Sequence, residues 1–366
     1  MKFLLISPFT SISGSAVRFW NIAQHIRRQG HTVVYVERRP AGAPAPRLEG
    51  VVYRTSPALN NLALDMIVSL AFNMLVFLRH IDCGVYYALK PAPNNCFPAL
   101  FARLLFKRTV LDIDDLDFGY LKPGIGRWLS RYFFHHLPRA FHLVTCHTPR
   151  LKEYVTANIG VPGNKVLFLT QGLSDVFVPC DPARKPEDIT KSIVYLATLG
   201  ITSDFDDLLV MFERLCRAHD DLHIKVIGDG VRRKYFEDRI AELGISGNVH
   251  FLGRIDHHLI PVVMAHNWIG LNYMRPTITN NCRAILKLRE YLAVGLQVVC
   301  NDAGDAYLFK DHVYVEQTID DMERRTLDLL GRGLRVNLEG RRFIEEHFRW
   351  EPGIAELLDR IGKRRT

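Results

Sequence analysis

Residues 284–300 read AILKLREYLAVGLQVVC. Ala284–Gly295 has the apolar spacing of a helix, and Gln297–Cys300 is a short apolar run of the kind found in a strand covered on both faces. Lys287 and Glu290, three residues apart, share one face of that helix. Outward from this unit the same alternation repeats along the chain. Phe3–Ser7, Thr32–Val36, Gly84–Ala88, Thr109–Ile113, Leu143–Cys146 and Val166–Leu169 read as strands in the first half. Ser192–Leu196, Leu222–Ile227, Val249–Phe251, Trp268–Leu271, Gln297–Cys300 and Val313–Val315 read as strands in the second. Helical stretches between near-continuous apolar strands imply parallel βαβ units, so the expected fold is α/β, with two doubly wound parallel-sheet domains. Ligands are then expected at the carboxyl ends of the strands.

The stretch Val178–Lys191 (VPCDPARKPEDITK) has three prolines, several charges and no period, and reads as a linker. The expected division is 1–178, a linker at 179–191, a second domain at 192–345, and a closing helix at 346–366 that crosses back to the first. Ala16–Gln29 reads as a helix stopped by Gly30, and Asp206–Ala218 as one with Leu209, Phe212 and Leu215 on a common face.

The composition of the 366 residues, 48% hydrophobic and 23% charged, excludes a disordered chain, a collagen-like repeat and a small disulfide scaffold. Seven scattered cysteines without a CxxC pair fit a reducing compartment better than a zinc ribbon or a disulfide framework. The opening residues look like a buried strand, not a secretory signal, which makes a cytoplasmic location the expectation. Charge is uneven. Residues 1–178 hold 20 Lys and Arg against 10 Asp and Glu, whereas 179–366 hold 27 against 29. The first half should therefore face something acidic: a membrane surface, a phosphorylated ligand or nucleic acid. No nucleic-acid recognition motif is visible, so nucleic acid ranks last.

Several loops could meet a phosphate. Pro8–Ser15 (PFTSISGS) joins the first strand to the first helix and brings Gly14 and Ser15 to a helix N-terminus, although a tight structural turn explains it equally well. Thr198 and Gly200 follow the strand Ile193–Leu196, and Gly228 and Gly253-Arg254 end the next two strands. Spacing alone makes Lys287 and Glu290 no more than an exposed ion pair worth a few tenths of a kcal/mol.

KLREYLAVGLQVVCND resembles the K-hxx-EYLAxGxPVV segment of group-1-type, retaining glycosyltransferases of the GT-B fold. The opening SPFTSISGSAVRFWNIAQHIRRQGHTVVYVE, then VLDIDD, LVTCHTPRLKEYV and KVLFLTQGLSDVF, are similar to that family's first domain. IVYLATLG, IKVIGDG, NVHFLGRID and the closing HFRWEPGIAELLDRI follow the order of its second domain. The resemblance implies a nucleotide-sugar donor, UDP- or GDP-linked, with no metal or other cofactor, and transfer to a hydroxyl of a cell-envelope glycan or lipid-linked acceptor with retention. It implies that Glu290 binds the ribose and Lys287 the diphosphate, flanked by Thr198 and Gly200, with Gly228 on the same rim and Arg254 and Ile255 near the base. Gly14 and Ser15 would close over the phosphates. The first of the family's two Glu falls on Cys282, leaving Asn280, Asn281 or Arg283 as substitutes. Asp114 takes the place of the family's His, as a general base or as a holder of sugar hydroxyls. A sugar-nucleotide epimerase of the same fold and a catalytically degenerate binding subunit are the rival expectations.

Leu62–Leu78 is apolar over 17 residues, short of the roughly 20 that span a bilayer, with Asp65, Ser69 and Asn73 four apart. A buried core helix is expected there. Arg127, Arg131, His135 and Arg139 interleave with Trp128, Tyr132, Phe133 and Phe134, which suits an anionic membrane interface or an amphipathic packing helix; peripheral attachment to the inner face of a membrane, not spanning, is the expectation.

Overall fold

The computed structural model describes residues 1–8, 14–39, 48–59, 62–177, 191–200, 204–333 and 335–363. The expected linker, apart from Lys191, and most of the Pro8–Ser15 loop lie outside them. The chain forms two compact units, Met1–Gln171 with Trp350–Thr366, and Gly172–Arg349.

The first unit runs β1 (Lys2–Ile6), α1 (Gly14–Arg28), β2 (Thr32–Arg39), β3 (Val51–Pro57), α2 (Leu62–Arg79), β4 (Val85–Leu89), α3 (Pro93–Leu104), β5 (Arg108–Ile113), α4 (Ile125–His136), β6 (Leu143–Cys146), α5 (Pro149–Ala157) and β7 (Val166–Phe168). Its strands make one parallel sheet, in the order β3-β2-β1-β4-β5-β6-β7. Central strands such as β4 are buried along their whole length, as their unbroken apolar runs require. The sequence reading lacks β3. That strand is a sheet edge paired only to β2, and most of its residues are partly exposed, so it carries no continuous apolar run. Helix α1 stops at Gly30, whose φ of +83° is the left-handed conformation that a helix-ending glycine takes.

The second unit runs β8 (Ser192–Leu196), α6 (Leu209–Ala218), β9 (His223–Ile227), α7 (Arg233–Glu242), β10 (Val249–Gly253), α8 (Ile260–Ala265), β11 (Ile269–Asn272), α9 (Ile278–Asn281), α10 (Leu286–Ala293), β12 (Gln297–Asn301), β13 (Tyr314–Glu316), α11 (Ile319–Arg332) and α12 (Leu338–His347). Its parallel sheet has the order β10-β9-β8-β11-β12-β13. Leu173 and Phe177 pack into this unit's core, which draws its boundary back from the expected 178. The last helix, α13 (Trp350–Gly362), returns to the first unit. There Trp350, Ile354, Leu357 and Ile361 share a core with Phe19, Ile22 and Ile26 of α1.

One helix departs from expectation in its orientation. In α2 the polar residues are buried along with Val76 and Phe77: Asp65, Ser69 and Asn73 are at most 5% exposed, while Leu64, Ile67, Leu75 and Leu78 are 53–64% exposed. Asp65 accepts from Arg38 at 2.8 Å and from the Leu59 N–H at 2.5 Å. Asn94 donates to Ser69 at 2.9 Å, and Asn73 donates to the Asn94 carbonyl at 2.8 Å. Because the fold supplies partners to the polar stripe, the apolar stripe faces solvent. The expected buried core helix is thus a half-buried one with its apolar side outward.

Candidate functional site

In the second unit the site residues gather around α10 and the carboxyl ends of β8 and β9. Tyr291 positions α10. Its hydroxyl accepts from the Leu196 N–H at 2.9 Å and donates to the Leu271 carbonyl at 3.2 Å, tying the helix to the ends of β8 and β11. Gly270 makes room for that ring, since a Cβ there would sit 2.5 Å from it. The start of α10 is held by Asp305, which accepts from the Ile285 N–H at 2.8 Å and from Arg289 at 2.5 Å. The fully buried Arg289 guanidinium also lies over the rings of Phe309 and Phe348, 5.1 and 4.8 Å from their centroids.

Helix α10 so held presents Lys287 and Glu290. Glu290 is buried and Lys287 half-buried, with the Lys287 ammonium 5.1 Å from the Tyr195 ring centroid. Burial pushes the Glu290 carboxyl up to about 7, with Lys287 and Arg289 opposing. Burial, helped by Arg283, pulls Lys287 down to about 8, with Glu290 and Asp204 opposing. Among the described residues each charged form is short of partners, a state that an incoming ligand with hydroxyls and phosphate would relieve.

The glycines at the strand ends have a structural reason. Gly228 has φ +131°, and a Cβ there would lie 1.7 Å from the Ala197 carbonyl oxygen. Gly230 similarly meets the Leu199 carbonyl at 2.3 Å. These contacts let β8 and β9 continue past the sheet as a paired loop, with Ala197 N–H on Ile227 O at 2.9 Å and Leu199 N–H on Asp229 O at 3.1 Å. Thr198 is exposed on this loop and Gly200 half-buried, so both are open to a ligand. Arg254 is exposed and Ile255 half-buried beyond β10. Arg283 is close enough to Lys287 to depress its pKa, and Asn281 carries a buried side-chain oxygen with no hydrogen-bond partner among the described residues. Cys282 is buried.

Sequence reading missed Tyr291, Arg289 and Asp305, which orient α10, and Asn272 at the end of β11. Asn272 is fully buried, with both amide atoms lacking partners among the described residues. An Arg two residues after Lys287 and next to Glu290 was the one available signal.

In the first unit, Asp114 lies just past β5. Lys90, at the end of β4 with a left-handed φ of +66°, pairs with it at 2.9 Å and with Asp117 at 2.5 Å. Burial would raise the Asp114 carboxyl, but Lys90, His147 and a hydrogen bond from Ser15 outweigh it and hold it at about 2. Such a carboxylate is charged throughout the ordinary pH range and weakly basic. It is suited to accepting hydrogen bonds from hydroxyls, and poorly matched to removing a proton near neutrality. Ser15 is engaged with Asp114, while Gly14 starts α1. Asp112, its near neighbour, is fully committed: Arg18 donates to it at 3.0 and 3.1 Å and Thr145 at 2.5 Å.

Comparison with known proteins adds a match to one family. Residues 182–275 match Glycosyl transferases group 1. The match ends before α10, so it does not reach Lys287 or Glu290. Sucrose-phosphate synthase from Thermosynechococcus elongatus superposes with TM-score 0.79 at 12% identity, covering 98% of both chains. WaaG, a glycosyltransferase involved in lipopolysaccharide biosynthesis, superposes with TM-score 0.76 at 15% identity over the whole of both chains. The fold is GT-B, and the family matched is the group 1 glycosyltransferases. Anabaena HepE, in complex with UDP and glucose, shares this GT-B fold with TM-score 0.75 at 14% identity, covering 98% of this chain and 99% of HepE. In sequence, 124 residues are 25% identical to the gpi3 subunit of phosphatidylinositol N-acetylglucosaminyltransferase of Schizosaccharomyces pombe. They make up 34% of this chain and 26% of that protein, so the chain spans about a quarter of that relative's length.

Proposed function

We propose that the protein transfers a sugar from a nucleotide-diphosphate donor to a hydroxyl of a glycan or lipid-linked acceptor, with retention of configuration. The observation that carries this reading is the Glu290–Lys287 pair. Glu290 is buried and Lys287 half-buried, both are shifted toward neutrality, and both ride on a helix bolted by Tyr291 to the ends of two parallel strands. Ribose hydroxyls would donate to the Glu290 carboxylate. A diphosphate would meet the Lys287 ammonium, with Arg283 near it and the β8–β9 loop carrying Thr198 and Gly200 alongside. In the transfer itself, Lys287 counters the charge that develops on the departing diphosphate. Asp114, ionised and anchored by Lys90, would accept hydrogen bonds from sugar or acceptor hydroxyls in the first unit.

UDP-sugars are the first donors to test, because HepE is described with UDP and glucose. A lipid-linked acceptor has support from gpi3, which belongs to a phosphatidylinositol N-acetylglucosaminyltransferase, and from WaaG's part in lipopolysaccharide synthesis. The test is release of nucleoside diphosphate from a panel of UDP- and GDP-sugars, with and without acceptor. Lys287→Ala and Glu290→Ala are each expected to lower turnover by roughly 10²-fold or more while far-UV circular dichroism stays unchanged. Near-normal turnover by both variants would refute the site. An isomerised donor formed without acceptor would replace transfer by epimerisation, and donor binding without turnover would leave a binding subunit.

A further inference from the structure

The first unit has a broad surface that its own core does not explain, and it stands apart from the transferase reading. It is built from α2, α3 and α4. These helices join β3 to β4, β4 to β5 and β5 to β6, three crossovers that run the same way along the sheet. Right-handed crossovers in one direction put all three on one face, opposite α1 and α13. Helix α2 packs on α3, and Arg103 of α3 donates to the Ala140 carbonyl just beyond α4.

Each of the three turns apolar side chains outward. On α2 it is the stripe Leu64, Ile67, Leu75 and Leu78, kept out by the inward hydrogen bonds of Asp65, Ser69 and Asn73. At the end of α3, Leu104 is 72% exposed and Phe106 is 98% exposed. Phe106 occupies the left-handed turn position, φ +58°, where glycine is usual, and its ring gains no burial in return. On α4 only Phe134 is buried, while Ile125, Trp128 and Tyr132 stand 79%, 62% and 47% exposed. Trp128 and Tyr132 stack on each other with centroids 5.7 Å apart.

Charge identifies the occupant. Residues 118–152, which contain α4, include six Lys and Arg and no Asp or Glu, and residues 83–111, which contain α3, have no acidic residue either. Lys122, just before α4, and Arg127 and Arg131 on it are exposed like its outward rings. An apolar surface rimmed by cations and carrying Trp and Tyr matches the boundary of an anionic bilayer, where rings sit at headgroup depth. A second copy of this chain would bring the same cations against themselves. Among the described residues no helix is long and apolar enough to cross a membrane, so the mode is lying on the surface.

We infer that the α2–α3–α4 face of the first unit docks on an anionic lipid bilayer, with its apolar stripes inserted among the acyl chains and Lys122, Arg127 and Arg131 at the phosphates. The test is co-sedimentation of the full chain with vesicles of phosphatidylcholine alone or mixed with phosphatidylglycerol. Binding is expected to the mixed vesicles and to weaken with salt. It should fall about tenfold or more in Ile67→Ser/Leu75→Ser, in Trp128→Ser/Tyr132→Ser and in Arg127→Glu/Arg131→Glu. Because these side chains are exposed, each variant should keep its melting temperature and its thermal shift with a UDP-sugar. A blue shift of fluorescence on adding mixed vesicles, lost in Trp128→Phe, marks insertion of that ring. The inference is overturned by absence of binding to mixed vesicles, by binding that survives all three double variants, or by loss in the arginine variant alone, which would mean adsorption without insertion. Self-association in sedimentation velocity that the apolar variants abolish would also overturn it, in favour of a second copy as the occupant.

Discussion

Glu290 and Lys287 carry opposite charges, yet burial moves their pKa values to about 7 and about 8, so that both titrate near neutrality. Below about 7 the carboxyl takes up a proton and loses acceptor capacity for ribose hydroxyls. Above about 8 the ammonium gives up its proton and no longer attracts a diphosphate. Donor affinity measured by calorimetry should therefore peak between these values and fall by up to roughly tenfold per pH unit on each side. Glu290→Gln should flatten the acid limb and Lys287→Arg the alkaline limb. A flat profile from about pH 6 to 9 would show that neither group faces the donor. At the same scale, Arg18→Ala would strand the buried Asp112 carboxylate, and should cost about 3–5 kcal/mol in denaturant unfolding.

At the scale of elements, the placement of α10 depends on groups outside it. Tyr291→Phe would leave the Leu196 N–H and the Leu271 carbonyl without their shared hydroxyl. Stability should fall by about 1–3 kcal/mol, and the donor KM should rise more than kcat falls. Gly228→Ala would press a methyl into the Ala197 carbonyl at a positive φ, so it should abolish folding of the second unit, read as loss of protease resistance in 172–349. Helix α2 teaches a different lesson. Its 17-residue apolar stretch says helix, but it cannot say which side faces in. Arg38 and Asn94, 27 and 25 residues from their partners, make that choice.

At the scale of the molecule, each unit has its own core, and the first is closed by a helix that arrives from the far end of the chain. Removing residues 350–366 would strip four buried apolar side chains from that core, each worth roughly 1.5–3 kcal/mol. The expected outcome is a lower first unfolding transition in calorimetry and new protease cuts within 1–171. Preserved transitions would mean that α13 is dispensable.

Alternating runs of apolar strand and helix determined the two parallel α/β units from sequence alone, because a strand buried on both faces leaves no polar positions to disguise it. They also placed Lys287 and Glu290 on one helical face. Edge strand β3 escaped, since one-sided pairing and partial exposure leave a mixed pattern. Tertiary structure alone decided the outward turn of α2, the anchoring of α10 by Tyr291, Arg289 and Asp305, the ion pair that keeps Asp114 ionised, and the near-neutral titration of the α10 pair. All four depend on which groups meet across long stretches of chain and on how much water they lose there, and neither quantity is written in local spacing.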